Sequence, residues 1–172
     1  MIGSRNTQAL ALLALAAALA LAGCGSDGSG GGYGNSGSEA SGGTTANTPA
    51  SGGAFVSLGS VPKVGSVLVD ANGLTLYDFH KDKGTESSCY GACAGVWPPL
   101  LTDGEPRPSN GASTAKLGTT KRKDGSVQVT YAGHPLYTYA ADKKPGEANG
   151  HDIDSFGAEW YALTASGAEA ED

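Results

Sequence analysis

Between Gly65 and Lys83 the apolar positions first alternate and then gather around aromatic rings. Val67 and Val69 precede a turn signal, Asp70-Ala-Asn72-Gly73, after which Leu74, Leu76, Tyr77 and Phe79 follow. A period of two places Val67 and Val69 on one face of a half-buried strand. Asn-Gly suits a hairpin turn that needs positive φ. The pattern then recurs. Gly125-Ser-Val127-Gln-Val129, a turn at Ala132-Gly133, Leu136-Tyr137-Thr-Tyr139 and Asp142-Lys143 match the first segment, with nine of nineteen aligned positions identical. The likeness resumes at Gly95-Val-Trp97-Pro-Pro-Leu100 and Ala158-Glu-Trp160-Tyr-Ala-Leu163.

Each copy predicts a β-hairpin, and internal duplication at this spacing predicts two related halves. Tyr77 and Phe79 share one face of their strand, as do Tyr137 and Tyr139, and Trp97 and Trp160 are expected to pack on those aromatic pairs. Pro135 falls near a strand start, where proline is tolerated. Residues 103–118 are rich in Pro, Gly and Ser and read as a long connecting loop. The expected fold is mostly β, one compact domain of two related β-hairpin repeats over 55–165 with little helix. An acidic disordered tail is expected at 166–172.

Before Phe55 the pattern changes twice. Residues 25–54 hold 11 Gly and 6 Ser in 30 positions. Tyr33 is the one large apolar side chain within that stretch, so no core can form there. With Cys24, this stretch (24–54) reads as a flexible linker whose r.m.s. reach is roughly 30 Å. Upstream, Arg5 precedes an apolar run from Ala9 to Ala22. That run is shorter than the roughly 20 residues that cross a hydrocarbon core, and it fits a signal-peptide h-region over 1–23. It ends Leu21-Ala22-Gly23-Cys24, which resembles the bacterial lipobox, with the Cys24 thiol as the acceptor for diacylglycerol. Two or three acyl chains anchor stably where one would be marginal. The protein is therefore expected to be an extracytoplasmic lipoprotein, held to the cell membrane through Cys24.

Charge supports lipid as the anchor. The chain carries 11 Lys and Arg against 17 Asp and Glu, a net −6. Cleavage before Cys24 removes Arg5 and no acid, leaving 10 against 17, a net −7. Such a chain repels nucleic acid and anionic headgroups, so no nucleic-acid partner is expected. Cationic ligands and metals remain permitted.

Candidate chemistry is sparse. With Cys24 lipidated, Cys89 and Cys93 remain as a pair four positions apart in an oxidising compartment. They read as a structural disulfide, with a redox-active pair and a metal thiolate as alternatives. Their spacing is not the C-x-x-C of thioredoxin-like sites, and no His follows Cys93 as covalent haem attachment would need. Asp82 and Asp142 each stand three residues past an aromatic at a strand end. There a carboxylate caps backbone N–H groups of the following turn, or the two pair across a pseudo-symmetry axis as a cation site. His80, His134 and His151 are the three histidines, and His151-Asp152-Ile-Asp154 reads as a solvated turn. No G-x-S-x-G, H-E-x-x-H or phosphate-cradling loop is present, so no catalytic residue, metal or cofactor is assigned.

Tyr77-Asp-Phe79-His-Lys-Asp82 and Tyr137-Thr-Tyr139-Ala-Ala-Asp142 both fit Y-x-[FWY]-x-x-D. With Cys89-Tyr-Gly-Ala-Cys93-Ala-Gly-Val-Trp97-Pro-Pro-Leu100, His134-Pro-Leu-Tyr137 and Phe156-Gly-Ala-Glu-Trp160-Tyr161, they give a resemblance over about 62–165 to the bacterial lipoproteins with that motif, the secreted repeat of unknown function. One departure is Gly150-His151-Asp152, where the resemblance leads to Gly-x-Gly. The resemblance implies location and fold and supplies no reaction. The expected function is a membrane-tethered, non-enzymatic binding or interaction module for an envelope protein or small ligand. The alternative is an extracytoplasmic redox or metal/haem-binding accessory protein.

Overall fold

The computed structural model describes residues 52–171. The signal segment 1–23, Cys24 and the linker as far as Ser51 lie outside the described residues. In chain order the elements are β1 (Phe55–Val61), β2 (Gly65–Val69), β3 (Tyr77–Phe79), one short helix α1 (Ala92–Val96) and β4 (Arg107–Pro108). A 3-10 turn (Thr114–Lys116) then leads to β5 (Leu117–Lys121), β6 (Val127–Tyr131), β7 (His134–Pro135), β8 (Ile153–Ser155) and β9 (Ala158–Ala162). The mostly-β fold with two repeats follows the sequence pattern.

Three three-stranded sheets result: β2-β1-β4, β5-β6-β7 and β3-β9-β8. β1 and β2 pair antiparallel from Ser57 opposite Val69 to Val61 opposite Gly65, and β5 and β6 pair likewise from Leu117 opposite Tyr131 to Lys121 opposite Val127. The main partner of each Val-rich strand is thus the strand before it, not the arm after it. The expected hairpins survive only at their roots. In the first copy Asp70 Oδ1 accepts the N–H groups of Asn72 and Leu74, Gly73 N–H bonds the Asp70 carbonyl, and Gly73 takes φ 78°. In the second, Ala132 and Gly133 both take positive φ, closing a tighter turn between Tyr131 and His134.

Beyond Leu76 and Leu136 each arm leaves its own copy. Tyr77 and Tyr137 exchange both backbone hydrogen bonds, N–H to O at 2.9 and 3.0 Å. On its other edge β3 pairs with β9, Tyr77 opposite Ala162 and Phe79 opposite Trp160. Tyr137 bridges Pro99, and the Thr138 and Ala140 N–H groups bond the Pro98 and Val96 carbonyls. Across the middle the segments therefore run second copy, first copy, second copy, first copy. The tyrosine segment of each half lies against the tryptophan segment of the other. The local two-fold axis passes between Tyr77 and Tyr137.

This interleaving divides the core in two. One cluster is aromatic: Tyr77, Phe79, Trp97, Tyr137 and Trp160, with Val67, Val69 and both Cys residues. The other is aliphatic but for Tyr131: Val56, Leu68, Leu76, Leu100, Val129, Tyr131, Leu136 and Leu163. β2 feeds both, so Leu68 is as buried as Val67 and the strand is covered on both faces, not half-buried. In the second copy Val127 is exposed and Gln128 stands buried in the place of Leu68.

The departure at Gly150-His151-Asp152 has a geometric basis. A Cβ on Gly150 would meet Trp97 at 2.6 Å and Tyr139 at 3.1 Å. Asp152 takes φ 55°, where Gly is the default and Asp is among the few side chains tolerated. Two expectations need correcting. Residues 103–118 are not a featureless loop, since β4 pairs parallel with β1 (Phe55 opposite Arg107) and the 3-10 turn delivers β5. The acidic segment read as a disordered tail from 166 is packed as far as Glu171: Leu163 bridges Glu169, Ala170 N–H bonds the Ala162 carbonyl, and Ala170 is buried in the aromatic cluster.

Because the central pairing joins one copy to the other, neither half can close a core alone. Fragments 52–116 and 117–171 are each expected to be unfolded by circular dichroism, and to recover β signal and a cooperative melt when mixed. A cooperative melt from either fragment by itself would contradict the interleaved arrangement.

Candidate functional site

The six residues of the two Tyr-x-aromatic-x-x-Asp segments form one crossed network. Tyr77 Oη donates to Asp142 Oδ2 and Tyr137 Oη to Asp82 Oδ2, both at 2.6 Å. Each tyrosine thus bonds the aspartate of the other repeat. The second oxygens hold the following loops: Asp82 Oδ1 accepts Ser88 N–H and Oγ, both at 2.7 Å, and Asp142 Oδ1 accepts Asn149 N–H and Nδ2 at 2.9 and 3.0 Å. The sequence suggested capping of the turn that follows each aspartate, and the N–H groups capped stand six and seven residues on. It did not suggest bonding across the axis to a tyrosine.

Burial first, and then the facing carboxylate, pushes both phenols well above the ordinary tyrosine range. They stay neutral donors. Burial likewise raises the Asp82 carboxyl, against the lowering effect of its Tyr137 and Ser88 bonds.

The rings follow the same crossing. Phe79, Trp160, Trp97 and Tyr139 stack in that order with centroids 3.9, 3.9 and 4.2 Å apart. Tyr77 meets Trp97 edge-on at 5.4 Å and Tyr137 meets Trp160 at 5.2 Å. Each tryptophan therefore touches its own repeat's tyrosine by the edge and the other repeat's second aromatic by the face. Each such pair contributes about 0.5–1.5 kcal/mol beyond area burial. Both indole N–H groups end on Ser155, one on Oγ and one on the carbonyl. Phe79, Trp97 and Trp160 are core, and half-buried Tyr139 packs against them.

Cys89 and Cys93 form a disulfide with Cα atoms 5.2 Å apart. Both residues are buried beside Trp97, which keeps the sulfurs from exchange partners in solvent. The Cys89 carbonyl accepts Arg122 Nη2–H at 2.7 Å. Arg122, absent from the sequence reading, is buried and also donates to Gln128 Oε1 and to Ser87 Oγ. Ser87 Oγ lies 2.7 Å from Tyr137 Oη. Since Arg122 donates to Ser87 and Tyr137 donates to Asp82, the Ser87 proton must point at Tyr137. A chain of oriented hydrogen bonds joins a buried guanidinium to Asp82 through two hydroxyls.

The three histidines do not converge. His80 Nε2 lies 2.7 Å from Glu169, and its ring is tilted against Tyr161. His151 Nδ1 accepts Ala162 N–H. His134 Nδ1 lies 3.2 Å from Asp78 Oδ2. Among the described residues no three His, Cys, Asp or Glu side chains are placed to hold a metal ion.

Asp78 was passed over in the sequence because its pattern position is only the spacer of the Tyr-x-aromatic motif. It is 2 % exposed, and its Oδ1 has no hydrogen-bond partner among the described residues. With His134, Leu163 and residues 167–171 it lines an open groove of about 400 Å3. The usable signal was a difference between the copies: Thr138 occupies the place of Asp78.

A family profile described as "Secreted repeat of unknown function" matches residues 60–101 and 118–164, one segment in each half and together more than half of the chain. No curated protein and no solved structure matches.

Two predictions follow from the geometry. Tyr77→Phe leaves an oxygen of buried Asp142 without its donor, and Tyr137→Phe one of half-buried Asp82, each at a cost of about 1–3 kcal/mol. Urea denaturation should give similar losses for both, and a negligible loss for either would remove the crossed pairs from the fold's support. The hydrogen bond to Asp78 raises His134 above its ordinary value. A raised folded-state pKa contributes stability below the unfolded value, and that stability is lost as pH rises through the folded one. The stability difference between the wild type and His134→Leu should therefore be larger at about pH 5.5 than at about pH 8.5. A flat difference, or one growing with pH, would mean the pair does not form.

Proposed function

This chain belongs to the family of the secreted repeat of unknown function, and from that premise we propose that it is a lipid-anchored extracytoplasmic module that binds a ligand and catalyses nothing. Three features support the tether: the small-residue site before Cys24, the apolar segment preceding it, and the Gly/Ser-rich stretch that separates Cys24 from β1. The binding reading rests on one observation above the others. The six motif side chains are engaged in holding the two halves together, while the groove beside them is lined by Asp78, whose buried Oδ1 has no partner among the described residues. A rigid interleaved body with an unpartnered carboxylate in the wall of a groove suits recognition, since bound groups meet a preformed site.

The alternative redox reading would require an accessible Cys89–Cys93 bond. Burial of both residues favours a shape-holding role instead.

Cys24→Ala tests the tether. The variant should fold with the wild-type melt and move from the membrane fraction to the soluble extracytoplasmic fraction. Retention in the membrane would overturn the anchor. The released variant also tests binding: it should associate saturably with purified envelope fractions, and the absence of any saturable association would remove the module reading.

A further inference from the structure

We propose that the groove between β3 and the 167–171 segment is a binding site for a primary ammonium group, such as the terminus of a diamine or a lysine-type side chain, with Asp78 as its principal acceptor. This assigns a ligand class to the module proposed above and rests on that reading.

The internal duplication supplies the control. Asp78 and Thr138 occupy equivalent places in the two copies, and both are buried. In the second copy the fold uses a neutral hydroxyl, which donates to the Pro98 carbonyl at 3.4 Å. A carboxylate is therefore not what this place in the architecture requires. Burying one is costly unless it is fully paired, yet among the described residues Asp78 is paired with His134 on Oδ2 and has no partner on Oδ1. The place of His134 in the first copy is held by Leu74, so the polar pair belongs to one half only. A half-satisfied buried carboxylate that the symmetric fold can replace with threonine points to a ligand donor.

The surroundings identify the donor's charge. Among the described residues the groove is lined by Asp78, His134, Leu163, Ala168, Glu169 and Glu171, with Gly167 and Ala170 and without Lys or Arg. Glu169 also meets His80 at its outer side. An ammonium group offers several N–H donors in a compact head, enough to reach Asp78 while facing the Glu169 and Glu171 carboxylates. The groove volume suits a short aliphatic chain behind that head. The described acids do not converge as a metal ion would need, which favours an organic cation over a bare one.

The test uses the full chain carrying Cys24→Ala and titrates it with 1,5-diaminopentane, lysine amide, 1-pentanol and calcium chloride by calorimetry. Saturable binding of the two amines, with none of the alcohol, is expected. Asp78→Thr installs the residue the other copy uses. It should keep a cooperative melt and weaken amine binding at least about tenfold, the loss of one charge-assisted hydrogen bond. Asp154→Asn, a surface acid on β8, should bind as the wild type does. Equal binding by Asp78→Thr and wild type would overturn the site, as would calcium binding in preference to the amines or no amine binding at millimolar concentration. If the amines fail while envelope fractions still bind saturably, only the ligand class is wrong. If both fail, the module reading goes with it.

Discussion

Everything in the domain depends on one antiparallel contact, the reciprocal backbone pair between Tyr77 and Tyr137. It sets the local axis, and it sends each tyrosine strand to the tryptophan strand of the opposite half. The rings and carboxylates then have no freedom to pair within a copy. Tyr77 reaches Asp142, Tyr137 reaches Asp82, and Trp97 and Trp160 stack face to face across the axis. Backbone register, ring stacking and charge-assisted hydrogen bonds all depend on the same crossing. Such mutual support between levels marks a sequence that specifies one structure. Most of these contacts join residues far apart in the chain, so their formation must await closure of long loops.

How much of this could be read in advance follows from what periodicity encodes. Alternation tells which side chains share a face, and it correctly grouped Tyr77 with Phe79 and Val67 with Val69. It does not tell which strand lies at each edge, because backbone donors and acceptors carry no residue identity. Hence the duplication was visible and the crossing was not. The two Asp residues were seen as loop caps from their position after a strand. Their tyrosine partners lie more than fifty residues away, with no local trace. The burial of Leu68 escaped because a strand covered on both faces loses its alternation. The 166–171 segment misled through composition: its Glu residues suggested a solvated tail, while buried Ala170, its N–H bonded to the Ala162 carbonyl, docks it.

Duplication also separates structure from use within the same sequence. Where the copies agree, at the tyrosines, the aspartates and the tryptophans, the residues build the axis. Where they differ, the fold has been released from that duty. Gln128 replaces Leu68 and becomes an acceptor for Arg122, and His134 and Asp78 replace Leu74 and Thr138. The first difference stiffens the disulfide side of the molecule. The second places an unpaired carboxylate oxygen beside an open groove, which no requirement of packing explains.

The disulfide makes sense in these terms. Closing so short a loop removes little freedom from the unfolded chain, about 2 kcal/mol on the loop-entropy account, so global stabilisation is a weak reason for it. Its local effect is larger. It fixes the Cys89 carbonyl against Arg122, whose buried guanidinium is ion-paired with the exposed Asp124 carboxylate at 3.3 Å. A buried guanidinium stripped of an acceptor costs several kcal/mol. It would also disturb the proton order that runs through Ser87 to Tyr137 and Asp82. Through that chain a bond four residues long reaches one of the two tyrosines on the axis, coupling the Cys89–Cys93 loop to the contact on which both halves depend.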